Sequence, residues 1–433
     1  MRLHLKTHPG RHSGNGSRPE PGNHRLLHGE REGNQRQAHG VGVGLCTSGR
    51  QRAAYPCGVT MHKTVNVSVD AMLADLRTLV EIESPSRDLH ALTASAEAVA
   101  AVIESRLGGR SNLIASDAGP HVHWSAGGDP AVLILGHHDT VFPLGTLERR
   151  PFTVEDGHAT GPGVFDMLGG LVQAIHGLAT LDDRSGVEIL VTADEEVGSR
   201  SSRALIEERA LACGAVLVCE GAAEGGGLKT GRKGCGTFQV SVTGRASHAG
   251  LEPAAGVNAL IEASHQVLDI AALDRPDIGT TVTPTVASAG TLDNVVPAEA
   301  TVIVDVRVES ADEKDRIEAA FAGLAPHLDE AEIAVQGAVS RPPMPESAAA
   351  ELFAVARRLL PGIEGMAVGG GSDGNFTAAL GVPTLDGLGA VGGGAHADHE
   401  YLVIGAMAER ADLVAGLVHA RQNAAEKESL RDL

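Results

Sequence analysis

Carboxylates and imidazoles stand just past several apolar runs of this sequence. Residues 131–136 run into His137, His138 and Asp139, residues 187–193 into Asp194, Glu195 and Glu196, and residues 215–219 into Glu220. Asp166 lies in the glycine-rich stretch GPGVFDMLGG (161–170), and His396 in GGGAHADHE (392–400). In open α/β sheets, ligands bind beyond the carboxyl ends of the strands, so these groups are candidates for a single site. Mixed nitrogen and oxygen donors suit zinc or another borderline divalent ion. Two imidazoles and three carboxylates suffice for two ions roughly 3.5–4 Å apart, bridged by one carboxylate, a pairing that polarises an acyl oxygen and activates water together. A carboxylate outside the coordination sphere is then needed to take the water's proton. Of the adjacent Glu195 and Glu196, one can ligate while the other serves as that base. Taken singly, a Glu-Glu pair is usually a solvated surface feature and a strand-end histidine structural. Their agreement on one chemistry from separate strand ends and glycine-rich turns favours the site.

The elements that must hold these groups follow from the hydrophobic pattern. After Ser68, an N-cap residue, Val69, Met72, Leu73, Leu76, Leu79 and Val80 recur with helical period. Helices are expected over 89–107, 168–178 and 201–209, alternating with strands over 131–135, 187–193 and 215–219. Buried strands between amphipathic helices predict an α/β fold with a mostly parallel central sheet. A glycine-rich crossing near 229–236 then opens a different order: strand 237–243, helix 256–273, strands 281–288 and 299–308, helix 311–324 and strand 331–336. This βαββαβ unit reads as a smaller lid and dimerisation domain inserted into the larger one. The expected organisation is a basic tail (1–60), a first catalytic part (61–229), the lid (230–339) and a second catalytic part (340–433).

Composition narrows the function. A net charge of −20 over 433 residues argues against a protein that wraps nucleic acid, and so does an aromatic content of 2%. No run approaches the ~18 apolar residues of a membrane span. Five cysteines without zinc-finger spacing favour a reducing compartment, so the expected location is the cytoplasm, although periplasmic proteins can also lack disulfides. No signal peptide is recognised. The first 60 residues carry nine basic and three acidic residues with no sustained period, and are expected to be disordered, with Met61 as the true start.

GHHDTV (136–141), GPGVFDMLGG (161–170), DEEVGS (194–199) and GGGAHADHE (392–400) resemble the signatures of the co-catalytic zinc metallopeptidases that include carboxypeptidase G, acetylornithine deacetylase, succinyl-diaminopimelate desuccinylase and aminoacylase-1. The resemblance covers about residues 66–425 and lies nearest the glutamate carboxypeptidase branch. It implies two zinc ions per subunit, replaceable by cobalt or manganese. Asp166 would bridge them, with His137 and Glu220 completing one site and Glu196 and His396 the other. Glu195 would be the general base, and Asp139 the carboxylate that orients the metal-bound histidine. In TGRASHAG (243–250), His248 would reach the partner subunit's active site and steady the oxyanion. Asn294 in NVVP and Arg307 in DVR would hold the substrate's terminal carboxylate, and Gly371 in GGGSDGNF would offer backbone contacts. Without the resemblance, Arg307 reads equally well as an ion pair with Asp305. Many relatives carry lysine where this chain has Leu168.

The expected protein is thus a homodimeric zinc hydrolase that cleaves an amide next to a free C-terminal carboxylate in a small peptide or N-acyl amino acid, with no nucleic-acid or membrane partner. Two rivals stand beside it: a deacylase or desuccinylase of the acetylornithine or succinyl-diaminopimelate type, and a catalytically silent metal-binding scaffold.

Overall fold

The computed structural model describes residues 67–429, all within one compact unit, Met61–Leu433. The tail (1–60) and the start at Met61 lie outside the described residues.

The first helix, Val69–Val80, begins where Ser68 leaves the extended region and its hydroxyl accepts the Ala71 N–H at 3.2 Å. Its buried stripe is Met72, Leu76, Leu79 and Val80. The next helix, Leu89–Leu107, is capped by Asp88, whose carboxylate accepts from the N–H groups of His90 and Ala91. The first packs on the second and on the helix Gly169–Ala179, and the second packs on a six-stranded sheet with the spatial order Asn112–Ile114, His121–Ser125, Val187–Thr192, Val132–His137, Val216–Val218, Thr384–Leu385. The last four strands run parallel, in registers such as Ile134 opposite Ile189 and Leu135 opposite Val218. Val132–His137 and Val187–Thr192 are buried throughout, as strands covered on both faces must be. Val132 and Ile134 enter the main core with the helices Leu89–Leu107 and Gly169–Ala179, whereas Leu133 and Leu135 enter a second cluster with Ile206, Ala210 and Phe376. The antiparallel strand His121–Ser125, second from the edge, escapes a hydrophobic reading because His121 and His123 interrupt its apolar residues.

The segment from Gly234 to Arg341 has the anticipated βαββαβ order. Its four strands form an antiparallel sheet ordered Thr281–Ala289, Glu299–Val308, Gly234–Thr243, Glu332–Arg341. One face packs on the helices Ala259–Ala271 and Ala311–Ala322, with Val302, Val304, Val306 and Val240 buried beside Ile270, Ile317 and Phe321. Cys235 pairs across the sheet with Arg307 on one side and Arg341 on the other, so these three share the opposite face. No helix among the described residues is long and apolar enough to cross a membrane.

Backbone contact between layers is closest at Gly170, where a Cβ would lie 2.0 Å from the Cys219 carbonyl oxygen and 2.8 Å from Gly389 Cα. The helix Gly169–Ala179 can therefore seat itself beside the end of the strand leading to Glu220 only with glycine here. Gly170→Ala is expected to destabilise the fold by about 1–3 kcal/mol, read as a lower urea midpoint with an unchanged slope. An unaltered midpoint would contradict this close packing.

Candidate active site

Strand geometry explains how His137 and His138 divide their duties. Successive side chains on a strand point to opposite faces. His138 turns into the protein, where Ser95 Oγ lies 3.1 Å from Nδ1 and the Pro120 carbonyl 3.0 Å from Nε2, and burial pushes its pKa down to about 4. His137 faces the other way. Its Nδ1 is 2.9 Å from the Asp139 carbonyl oxygen, and its Nε2 stands 3.4 Å from both Asp166 Oδ1 and Glu220 Oε1.

Asp166, with a non-helical φ of −120° and ψ of 92°, lies in the irregular loop Val164–Leu168, between Gly163 and the helix Gly169–Ala179. Its second oxygen, Oδ2, is 3.3 Å from His396 Nε2, and that nitrogen is 3.0 Å from Glu196 Oε2. One carboxylate therefore faces two separate donor groups, one oxygen to each. His396 adopts a positive φ of 62° in its tight loop. Glu195 and Glu196 occupy the single 3₁₀ turn Glu195–Val197 that follows the strand Val187–Thr192. Asp139, wholly buried, accepts the Ser86 hydroxyl at 2.8 Å and the N–H groups of Glu195 and Glu196 at 3.1 and 3.2 Å. It thus ties the His137 strand end to the Glu195–Glu196 turn.

The surrounding charge is strongly biased. The carboxylates of Asp139, Asp166 and Glu220 raise the His137 pKa well above its ordinary value despite complete burial, and Asp166 and Glu196 push His396 up to about 10. Burial pushes Glu195 up to about 8 against the opposing pull of Arg341 and His137.

The residues present fit divalent cations. His137 Nε2 is buried without a hydrogen-bond partner, and its 3.4 Å separations from carboxylate oxygens exceed the usual 2.7–3.2 Å of a hydrogen bond. Four ligands at about 2.0–2.1 Å from a tetrahedral ion lie about 3.3–3.4 Å from each other, which matches those spacings. His137, Asp166 and Glu196, and His137, Glu195 and Glu220, each bring ligand atoms within 4.8 Å of one another.

The profile of peptidase family M20/M25/M40 matches residues 133–420, a span that takes in His137, Asp166, Glu195, Glu196, Glu220 and His396. The chain belongs to this family. It is 33% identical over 371 residues to carboxypeptidase G2 of Pseudomonas sp. (strain RS-16), covering 80% of this chain and 88% of that one. Two solved structures share its fold. Aminopeptidase PepT from Bacillus cereus ATCC 10987 has a TM-score of 0.66 at 20% identity, covering 82% of this chain and 99% of that one. The M20 family metallo-carboxypeptidase Sso-CP2 from Sulfolobus solfataricus has a TM-score of 0.61 at 16% identity, covering 80% and 98%. The protein is an M20 metallopeptidase or amidohydrolase of α/β fold.

The remaining expected residues of this M20 chain are divided. The segments carrying His248 and Asn294 meet within the βαββαβ segment Gly234–Arg341, where the Ala249 N–H donates to the Asn294 carbonyl at 2.9 Å and His248 bridges to Val295. His248 Nδ1 accepts the N–H groups of Gly250 and Leu251, each at 3.1 Å. All these contacts lie in that segment, and no hydrogen bond or ion pair among the described residues joins His248 to the acidic cluster. Arg307 makes the ion pair with Asp305, with both bonds at 3.0 Å. At Gly371 a Cβ would meet Cys235 Sγ at 2.9 Å, and its carbonyl accepts from Arg232 at 3.3 Å. Leu168 is buried in the main apolar core, so its side chain lies outside the acidic cluster.

Several site residues escape a sequence reading. Arg341, at the end of the strand Glu332–Arg341, reaches the turn that follows Val187–Thr192. It pairs with the Glu195 carboxylate and donates to the Glu195 carbonyl and to Ser199 Oγ, both at 2.8 Å, with Asp373 at 3.5 Å. Arg232 is buried between Asp386, at 2.6 Å, and the Glu220 carboxylate, at 3.3 Å. Both arginines sit at chain crossings between the two sheets, and that placement is the one signal that marks them.

Proposed function

We propose that this M20 protein is a dinuclear zinc hydrolase that cleaves an amide bond next to a free C-terminal carboxylate, as a glutamate carboxypeptidase does. The observation that carries the reading is Asp166, whose two oxygens face two separate donor sets. His137, Asp166 and Glu220 would hold one ion, and Asp166, Glu196 and His396 the other. The ions, when bound, supply Lewis-acid polarisation of the scissile carbonyl and a water acidic enough to ionise near neutral pH. Cobalt or manganese would serve the same donors.

Glu195 takes the proton from the attacking water and returns it to the leaving nitrogen. Burial strengthens the hold of this carboxyl on a proton, which suits a group that must both accept and release one. Asp139 fixes the His137 imidazole and holds the backbone of the Glu195 turn. His248 fits the role of oxyanion donor because its Nδ1 already accepts two backbone N–H groups, which leaves Nε2 carrying the proton. Arg307 and Asn294 hold the substrate carboxylate, and Gly371 lends backbone contacts. Arg is suited to this by its two-pronged donor geometry, so Arg307 would exchange Asp305 for substrate.

The preference for a glutamate-like leaving group rests on the likeness to carboxypeptidase G2. Parallel assays on N-acyl-glutamates, N-acetylornithine, succinyl-diaminopimelate and simple dipeptides test it. N-acyl-glutamates are expected to show the highest kcat/KM. Preference for either of the next two would establish the deacylase reading, and zinc binding without turnover on any substrate the scaffold reading.

Dimerisation through the lid, with His248 acting on the partner's site, is part of the proposal. The edge strand Thr281–Ala289 and the helix Ala259–Ala271 leave Val286, Leu260, Ile261 and Leu268 exposed, an apolar surface a second copy would cover. Mixing inactive H248A and E195A chains is expected to restore up to about a quarter of wild-type activity, because random reassortment creates one intact site in half of the dimers. An active monomer by light scattering would refute the shared site.

A further inference from the structure

Glu400 shares a loop with His396 yet makes its side-chain contacts on a segment distant in sequence. Its carboxylate is completely buried and accepts three backbone N–H groups: Gly163 on Oε2 at 2.9 Å, and Phe165 and Asp166 on Oε1 at 2.9 and 3.0 Å. No arginine or lysine is among these partners, so the contact is a clamp on the backbone of one loop and not an ion pair. At its own end the residue is equally fixed. The Glu400 N–H donates to the Ala397 carbonyl at 3.1 Å, and the Ala397 N–H to the Gly394 carbonyl at 2.9 Å. The second of these turns encloses His396 at its positive φ, and the first joins that turn to Glu400.

The two halves of the cluster are therefore built differently. His137 and Glu220 follow neighbouring parallel strands, and Asp139 and Arg232 fix them further. Asp166 and His396 lie on loops, and their side chains meet at 3.3 Å. Hydrogen bonds to a buried carboxylate are stronger than neutral ones, and three of them converge here on the backbone carrying Asp166.

We propose that Glu400 is a positioning residue that sets the cation position formed by Asp166, Glu196 and His396, while leaving the position at His137 and Glu220 to the sheet. The proposal rests on the dinuclear reading above. Glutamate is the side chain that fits: glutamine would offer one acceptor and turn an N–H₂ group toward a backbone N–H, and aspartate would be too short to span the loops.

The test titrates zinc alone into the metal-free, full-length protein against a chromophoric chelator, for wild type, E400Q, E400A and E262Q. Glu262 is a matched control, because it is also fully buried and clamps backbone N–H groups, those of His327 and Leu328, in the lid. Wild type and E262Q are expected to bind two equivalents. E400Q should keep one equivalent at wild-type affinity and bind the second about 10–100-fold more weakly, the usual consequence of losing an outer contact to a metal ligand. Excess zinc should restore its kcat with KM unchanged. Should E400A fail to fold, as judged by circular dichroism, E400Q carries the comparison. Two ions bound at wild-type affinity by E400Q would overturn the proposal, and so would an equal weakening of both. Fewer than two equivalents in wild type would instead refute the dinuclear reading, and this inference with it.

Discussion

Replacing Glu195 by glutamine is expected to lower kcat by about 10²–10⁴-fold, the range that a positioned general base contributes. KM should change little. Glutamine keeps the shape of the side chain but cannot accept a proton, so bound zinc should remain at the wild-type stoichiometry. The fold should also survive, because Arg341 keeps the Glu195 carbonyl, Ser199 and Asp373 as partners. Metal analysis beside steady-state kinetics separates the outcomes. A variant that turns over at near wild-type rate removes Glu195 from the role, and one that loses its metal makes Glu195 a ligand. The second outcome has a physical basis to test, since Glu195 lies within ligand reach of His137 and Glu220.

Asp166→Ala is expected to have the larger effect on metal. This carboxylate faces His137 with one oxygen and His396 with the other, so its removal takes a donor from both groups at once. Each ion should bind at least about 100-fold more weakly, beyond the upper end of what outer contacts contribute, and turnover should fall below detection at stoichiometric zinc. His396→Ala makes the useful comparison. It removes a donor from one group, so one equivalent should persist at wild-type affinity. If Asp166→Ala behaved as His396→Ala does, with one ion untouched, Asp166 would not be shared between two ions.

Much of this enzyme was legible because its chemistry sits at positions that the hydrophobic pattern marks. The apolar runs ending at His137, Asp194 and Glu220 are strands whose ends open on one space, and burial on both faces made them continuous rather than alternating. Between Gly234 and Arg341, alternation along Glu299–Val308 and helical period over Ala259–Ala271 were enough to predict the order of elements. The short strand Thr384–Leu385 and the antiparallel strand His121–Ser125 lacked such a signal, the first for want of length and the second because histidines break its pattern.

The sequence by itself determined the candidate ligands, the candidate base beside them and the likeness to the family, because residue type and position relative to a buried run are local properties. Only the tertiary structure decided that Asp166 turns one oxygen to each imidazole, that Arg341 spans the two sheets to reach Glu195, and that Glu400 clamps the Asp166 loop. The reason is physical. Hydrophobic burial imposes a period of 2 or 3.6 residues that can be read along the chain, whereas a buried charge is satisfied by whichever partner folding brings within about 3 Å, and that proximity has no period.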